Sequence, residues 1–107
     1  MTPTVAVLDY GFGNVRSAMR AAEHVGTQAI LSSDFDTCLN ADGLIIPGVG
    51  AFAACMKGID KVRGGSLVDA RLIANRPILG ICVGMQIMFA QGIEHGISTD
   101  GLAQWPG

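Results

Sequence analysis

Charge is scarce in this sequence. Only 15% of its 107 residues are Asp, Glu, Lys or Arg, against 50% hydrophobic residues, and the formal net charge is −2. No basic run occurs, so the electrostatic footprint of a nucleic-acid partner is missing. Long apolar runs are missing as well; none approaches the ~20 residues that a membrane span needs. The opening Met1-Thr2-Pro3-Thr4 lacks the charged start of a signal peptide. Cysteine is limited to three residues, an odd number at no metal-like spacing, which fits a reducing cytoplasm better than a disulfide framework. Internal repeats, linkers and low-complexity tracts are also absent. At this length the chain is one domain at most, sufficient for a core but small for an α/β enzyme.

What is plentiful is apolar character and glycine. A mean hydropathy of +0.43 predicts extensive burial on both faces of the central elements. The 15 glycines predict many tight turns and few long helices. Short aliphatic runs predict buried parallel strands over residues 5–8, 28–31, 44–46 and 78–81, with Pro77 opening the last. Between them, helical spacing of Val15, Ala18, Met19, Ala22 and Val25 predicts a helix capped by Asn14 and stopped by Gly26. The polar residues 32–36 lead into a short helix. Residues 51–59 and 67–74 read as helices separated by a break at Arg63-Gly64-Gly65-Ser66, with Ser66 as N-cap. A further helix is expected from Val83 to about Gln91. After Gly92 no further strand is expected. Strands alternating with helices at this spacing predict an α/β fold, a parallel sheet with helices on both faces.

In such sheets ligands bind outside the carboxyl ends of the strands. Three glycine-bearing segments fall there: Tyr10-Gly11-Phe12-Gly13-Asn14, Pro47-Gly48-Val49-Gly50 and Gly80-Ile81-Cys82-Val83-Gly84. The last has the form of a nucleophile elbow with Cys in the central place. A strand turning sharply into a helix strains the central residue, and flanking glycines relieve the crowding. The thiol then projects at a helix N-terminus, where free N–H groups and the dipole favour negative charge. The Val83 N–H points into the same space and can hold an oxyanion. The alternative is a buried structural cysteine; the strand before, the helix after and both glycines favour the elbow. Cys38 and Cys55 have no such setting and read as structural. Pro47-Gly48-Val49-Gly50 reads equally as an ordinary turn or as a loop whose peptide can flip to present an N–H. The first segment invites a dinucleotide reading, but Arg16 occupies the place of the third glycine, so no cofactor is expected. A cysteine nucleophile needs a base. His24, near the end of the first helix, and His95, past the elbow helix, are the two histidines, and neither is marked as that base by its position.

The segments Gly80-Ile81-Cys82-Val83-Gly84-Met85-Gln86 and Pro47-Gly48-Val49-Gly50 together resemble the class I glutamine amidotransferases, which share a flavodoxin-like fold. Asp9-Tyr10-Gly11-Phe12-Gly13-Asn14, Pro47 through Phe52 and Ile93-Glu94-His95-Gly96 resemble one branch of that class, glutaminase subunits of histidine biosynthesis. The likeness runs from Val5 to Gly107. It implies that Cys82 forms a glutamyl thioester and that the Val49 and Val83 N–H groups make the oxyanion hole, the former after a flip near Gly48, with Gly50 beside it. It implies that Gln86 and Glu94 contact the substrate glutamine and that Asn14 lies on the face that meets a cyclase subunit. That partner would be a (β/α)8 barrel receiving ammonia within a cytoplasmic heterodimer, with no cofactor, metal, nucleic acid or membrane involved. The branch carries its catalytic His and Glu in a His-x-Glu segment well downstream of the elbow. Residues 1–107 are therefore expected to be the amino-terminal part of a single truncated amidotransferase domain, with little or no turnover by themselves. The readings set against this are another class I amidotransferase and a non-catalytic interaction module of the same fold.

Overall fold

The computed structural model describes residues 2–94 and 97–106. At its centre four parallel strands lie in the order β2-β1-β3-β4. They are β1 (Thr4–Leu8), β2 (Gln28–Ser32), β3 (Gly43–Ile46) and β4 (Ile78–Gly80). The side chains of β1 and β3 alternate between two cores: Ala6, Leu8, Leu44 and Ile46 face one side, Val7 and Ile45 the other. Burial on both faces is why these strands read as unbroken apolar runs.

Helix α1 (Val15–His24) covers one face, packing Ala18 and Ala22 against Val7 and Ile45. The Asn14 side chain caps it by accepting the Ser17 N–H at 3.2 Å. The opposite face is covered by α2 (Phe35–Asn40), α3 (Phe52–Lys61), α4 (Gly64–Ile73) and the single turn α5 (Val83–Gln86). Asp34 caps α2, accepting the Thr37 N–H at 3.0 Å. The resulting α/β architecture, with helices on both faces of a parallel sheet, is the one the sequence predicts. Strand β4 lies at an edge of this sheet. Its flank on the α1 side shows Leu79 at 57% and Ile81 at 40% exposure, above an apolar cleft of about 310 Å³.

Three local expectations are corrected. Ser66 is not an N-cap, because α4 already begins at Gly64, preceded by Arg63 in the left-handed region at φ 58°. Each glycine costs a helix about 1 kcal/mol of propensity, but Gly64 is buried where a Cβ would come within 2.7 Å of Ile59 Cγ2. Packing of α3 on α4 outweighs the propensity. The helix after Cys82 ends at Gln86 instead of reaching Gln91. Carbonyls that would continue it are taken by the returning chain: Leu102 N–H donates to Ile87 at 2.7 Å, and Gln104 N–H to Met88 at 2.7 Å. Finally, strands do follow: β5 (Gln91–Glu94) and β6 (Ile97–Asp100) pair as an antiparallel hairpin. This short hairpin lacks apolar alternation and is seated instead by Gly92, whose Cα lies on the Phe52 ring with no room for a side chain.

Arg71 is fully buried. Its guanidinium donates to the carbonyls of Cys38 (2.9 Å), Leu39 (3.1 Å), Ala41 (2.8 Å), Asp42 (3.4 Å) and Pro77 (2.8 Å). It thereby ties the end of α2, where the helix dipole favours a cation, to the entries of β3 and β4. Replacing Arg71 with Ala strands several buried acceptors, each of which costs about 1–3 kcal/mol when left unpaired. The full-length Arg71→Ala protein should melt at least about 10 °C lower by circular dichroism; an unchanged melting temperature would refute the staple.

Candidate functional site

The strand order β2-β1-β3-β4 puts a topological switch point between β1 and β3, where the chain leaves the two strands in opposite directions. The three glycine-bearing loops meet there. Tyr10 Oη donates to the Pro47 carbonyl, and a Cβ on Gly13 would come within 2.7 Å of Pro47 Cβ. The first loop therefore lies directly on the second. The third is fixed by the parallel ladder between β3 and β4, which continues past both strands. The Ile81 N–H donates to Ile46 at 3.0 Å, and the Val83 N–H to Gly48 at 3.3 Å.

At the turn from β4 into α5, Cys82 has φ 59° and ψ −122°. A side-chain-bearing residue in such a region costs about 1–3 kcal/mol and persists only where its surroundings over-determine it. Here both flanking glycines do so. A Cβ on Gly84 would overlap the Ile46 carbonyl oxygen, and one on Gly80 would lie 2.7 Å from the Gly84 carbonyl oxygen. The turn is thus closed down to backbone contact on both sides, and its central side chain can only point outward. Cys82 is exposed while Cys38 and Cys55 are buried.

The amides at the start of α5 are not free in this conformation. Val83 donates to Gly48, Gly84 to Ile81 at 3.0 Å, and Met85 and Gln86 to Cys82 at 3.0 and 3.2 Å. The Gly48 carbonyl therefore sits where an oxyanion would have to bind Val83. Gly50, at φ 84°, gives the loop a turn that side chains rarely adopt.

Cys82, Gly48, Val49 and Asn14 line one cavity of about 320 Å³. Gln86 and Glu94 line another, of about 340 Å³, with Phe52 and Phe89 in its wall. The Glu94 carboxylate accepts the Phe52 N–H at 3.3 Å and so completes the start of α3, which has no side-chain cap of its own. Asn14 is partly committed as the cap of α1. His24 lies in the last turn of α1, and His95 lies outside the described residues. Among the described residues no group of three or more His, Cys, Asp or Glu is placed to hold a metal ion.

Two residues at the site are given no role of their own by the sequence, where Tyr10 only opens the first glycine segment and Cys55 reads as structural. Tyr10 is buried at the Pro47 carbonyl, and the buried Cys55 Sγ donates to the Val49 carbonyl at 3.3 Å. Burial, reinforced by the neighbouring Cys55, pushes the Tyr10 hydroxyl far up from its ordinary value. Burial likewise pushes the Cys55 thiol up, against the opposing effect of its hydrogen bonds. Both side chains stay protonated and able to donate.

The family model described as glutamine amidotransferase class-I matches residues 6–97, and the chain belongs to that family. Among curated relatives, imidazole glycerol phosphate synthase subunit HisH of Corynebacterium efficiens is 62% identical over 107 residues, covering 100% of this chain and 51% of the relative. The protein of the same name from Streptomyces avermitilis is 61% identical over 103 residues, covering 96% and 48%. The chain thus spans about half the length of these relatives. The crystal structure of a protein assigned as a GMP synthase subunit, from Thermoplasma acidophilum, matches with TM-score 0.63 at 26% identity, over 80% of this chain and 43% of that one.

The contrast in cysteine exposure is directly measurable. In the native protein a soluble disulfide reagent, with its sites mapped by mass, should reach Cys82 fast and Cys38 and Cys55 only on denaturation. Equal rates at these three cysteines would contradict the geometry.

Proposed function

We propose that the chain is the amino-terminal part of a single amidotransferase domain. The domain would be the glutaminase subunit of an imidazole glycerol phosphate synthase, acting in the cytoplasm. The observation that carries this is the exposed, strained Cys82 beside a glycine loop whose carbonyl blocks the Val83 amide. The names of relatives at 62% and 61% identity favour this branch over the GMP synthase neighbour at 26%. The bare edge of β4 supports further chain packing there.

The Cys82 thiolate attacks the side-chain amide carbon of glutamine, forming a C–S bond and a tetrahedral oxyanion. Rotation of the Gly48–Val49 peptide takes the Gly48 oxygen off the Val83 N–H and turns the Val49 N–H inward, so that two amides receive the oxyanion. The C–N bond then breaks as the base, having taken the Cys82 proton before the attack, returns it to the leaving nitrogen and ammonia departs. Water hydrolyses the thioester to glutamate. The base is assigned to a downstream His oriented by Glu, outside residues 1–107. Gln86 and Glu94 bind the glutamine backbone, a carboxylate suiting its α-ammonium. Asn14, on the loop against Pro47, lies on the face meeting a cyclase subunit with a (β/α)8 barrel. That partner uses the ammonia within a heterodimer.

In the full-length protein paired with its cyclase, Cys82→Ala should lower glutamine-dependent synthesis by about 10³-fold or more and leave ammonia-dependent synthesis intact. Loss of both would make Cys82 structural.

A further inference from the structure

Val49 and its neighbours form three successive peptide units whose oxygens meet three different fates. The Pro47 carbonyl accepts from the Tyr10 hydroxyl. The Val49 carbonyl accepts from Cys55 Sγ at 3.3 Å. Between them, the Gly48 carbonyl accepts only the backbone amide of Val83, at 3.3 Å, among the described residues. The outer two anchors are side chains seated in the core, Tyr10 at 6% and Cys55 at 0% exposure. Neither moves without disturbing what surrounds it: a Cβ on Gly58 would lie 2.6 Å from the Tyr10 carbonyl oxygen, and Cys55 belongs to the first turn of α3. Gly48 itself leaves no space for a side chain, since a Cβ there would come within 2.5 Å of the Gly84 nitrogen and 2.8 Å of the Tyr10 hydroxyl.

Resting on the glutaminase reading, we propose that Tyr10 and Cys55 are positioning residues. They pin the peptides on either side of Gly48–Val49, so that this one peptide rotates as a crankshaft while its neighbours stay fixed. A rotation confined to ψ of Gly48 and φ of Val49 exchanges an inward oxygen for an inward N–H without displacing the loop. With either anchor gone the motion spreads into the adjacent peptides, and the Val49 amide reaches the reacting carbon imprecisely. Tyr10 lies in the same loop as Asn14, so the clamp also joins the partner-facing loop to the rotating peptide. Cys55 serves this purpose as a thiol donor, a role distinct from the nucleophilic chemistry of Cys82.

The test uses the full-length protein in complex with its cyclase. Tyr10→Phe and Cys55→Ala should each lower kcat for glutamine by about 10-fold or more while KM stays within about twofold, because the substrate-holding residues lie in the other cavity. Cys55→Ser restores an O–H donor and should recover most of the loss. In protein labelled with ¹³C at the carbonyls, Tyr10→Phe should move the Pro47 resonance and Cys55→Ala the Val49 resonance. Labelling of Cys82 by an alkylating electrophile, which needs no oxyanion donor, should be unchanged. A wild-type complex that turns over glutamine alongside variants with unaltered kcat, or carbonyl resonances that do not move, would overturn the clamp alone. A wild-type complex without glutaminase activity would overturn the functional reading and the positioning role with it.

Discussion

The carbonyl of Ile46 accepts the Ile81 N–H at 3.0 Å and lies so close to Gly84 that no Cβ fits between them. This contact joins the last residue of β3 to the far side of the elbow, and the site depends on it. Because the chain must come back to backbone contact with Ile46 only three residues after the Ile81 bond, it has no room for a relaxed turn. The strain falls on Cys82, whose φ of 59° would be unfavourable in an open loop. Glycine at positions 80 and 84 follows from the same crowding. Burial of Val83 and Ile87 in the core beneath supplies the apolar contact that holds the strained turn in place.

The ladder that builds this turn also closes it. Parallel pairing continues by one more bond, from Val83 to Gly48, and that bond occupies the amide proposed to stabilise the oxyanion. A single neutral hydrogen bond has a net worth of about 0.5–1.5 kcal/mol. The free-energy cost of opening is correspondingly small, at or below the low end of the range of about 1–3 kcal/mol that couples two sites in typical allostery. A partner bound against the first loop would need only modest differential contacts to bias the equilibrium. The Tyr10 bond to Pro47 is a physical connection through which it can act. In the proposed mechanism, shutting the hole with backbone already present requires no additional lid or inserted side chain and lets the scaffold remain rigid in both states.

The sheet, its strand positions and the elbow were legible because each has a strong local signature. Continuous aliphatic runs mark strands buried on both faces, and Gly-x-Cys-x-Gly between a strand and a helix marks a strained turn. What was not legible depends on contacts far apart in sequence. Gly64 and Gly65 look like a break until Ile59 is seen against Gly64. The helix after Cys82 stops early because residues near 102–104 take its carbonyls. The hairpin of β5 and β6 carries no periodic signal, and its seat is the Phe52 ring. Arg71 is one charged residue in a helical stretch, and only the convergence of five carbonyls reveals a buried cation. Tyr10 stands in a glycine segment that the sequence marks and Cys55 in an ordinary helix, but the partners of both are carbonyl oxygens, which no side-chain pattern announces.

The three cysteines show how completely backbone geometry decides the chemistry of one residue type. Cys38 is buried in α2, with its Sγ donating to the Ser32 carbonyl at 3.5 Å. Cys55 is equally buried in α3 and donates to Val49 at 3.3 Å. In both, desolvation pushes the thiol up and preserves the neutral form, which is the form able to donate. Cys82 belongs to no regular helix or strand, and the turn that carries it points its side chain outward. Had the elbow relaxed to negative φ, the side chain would leave its outward course and the displayed thiol would be lost. Display of the Cys82 thiol is therefore inseparable from strain, and the strain is maintained by Ile46 and the two glycines that let its carbonyl approach.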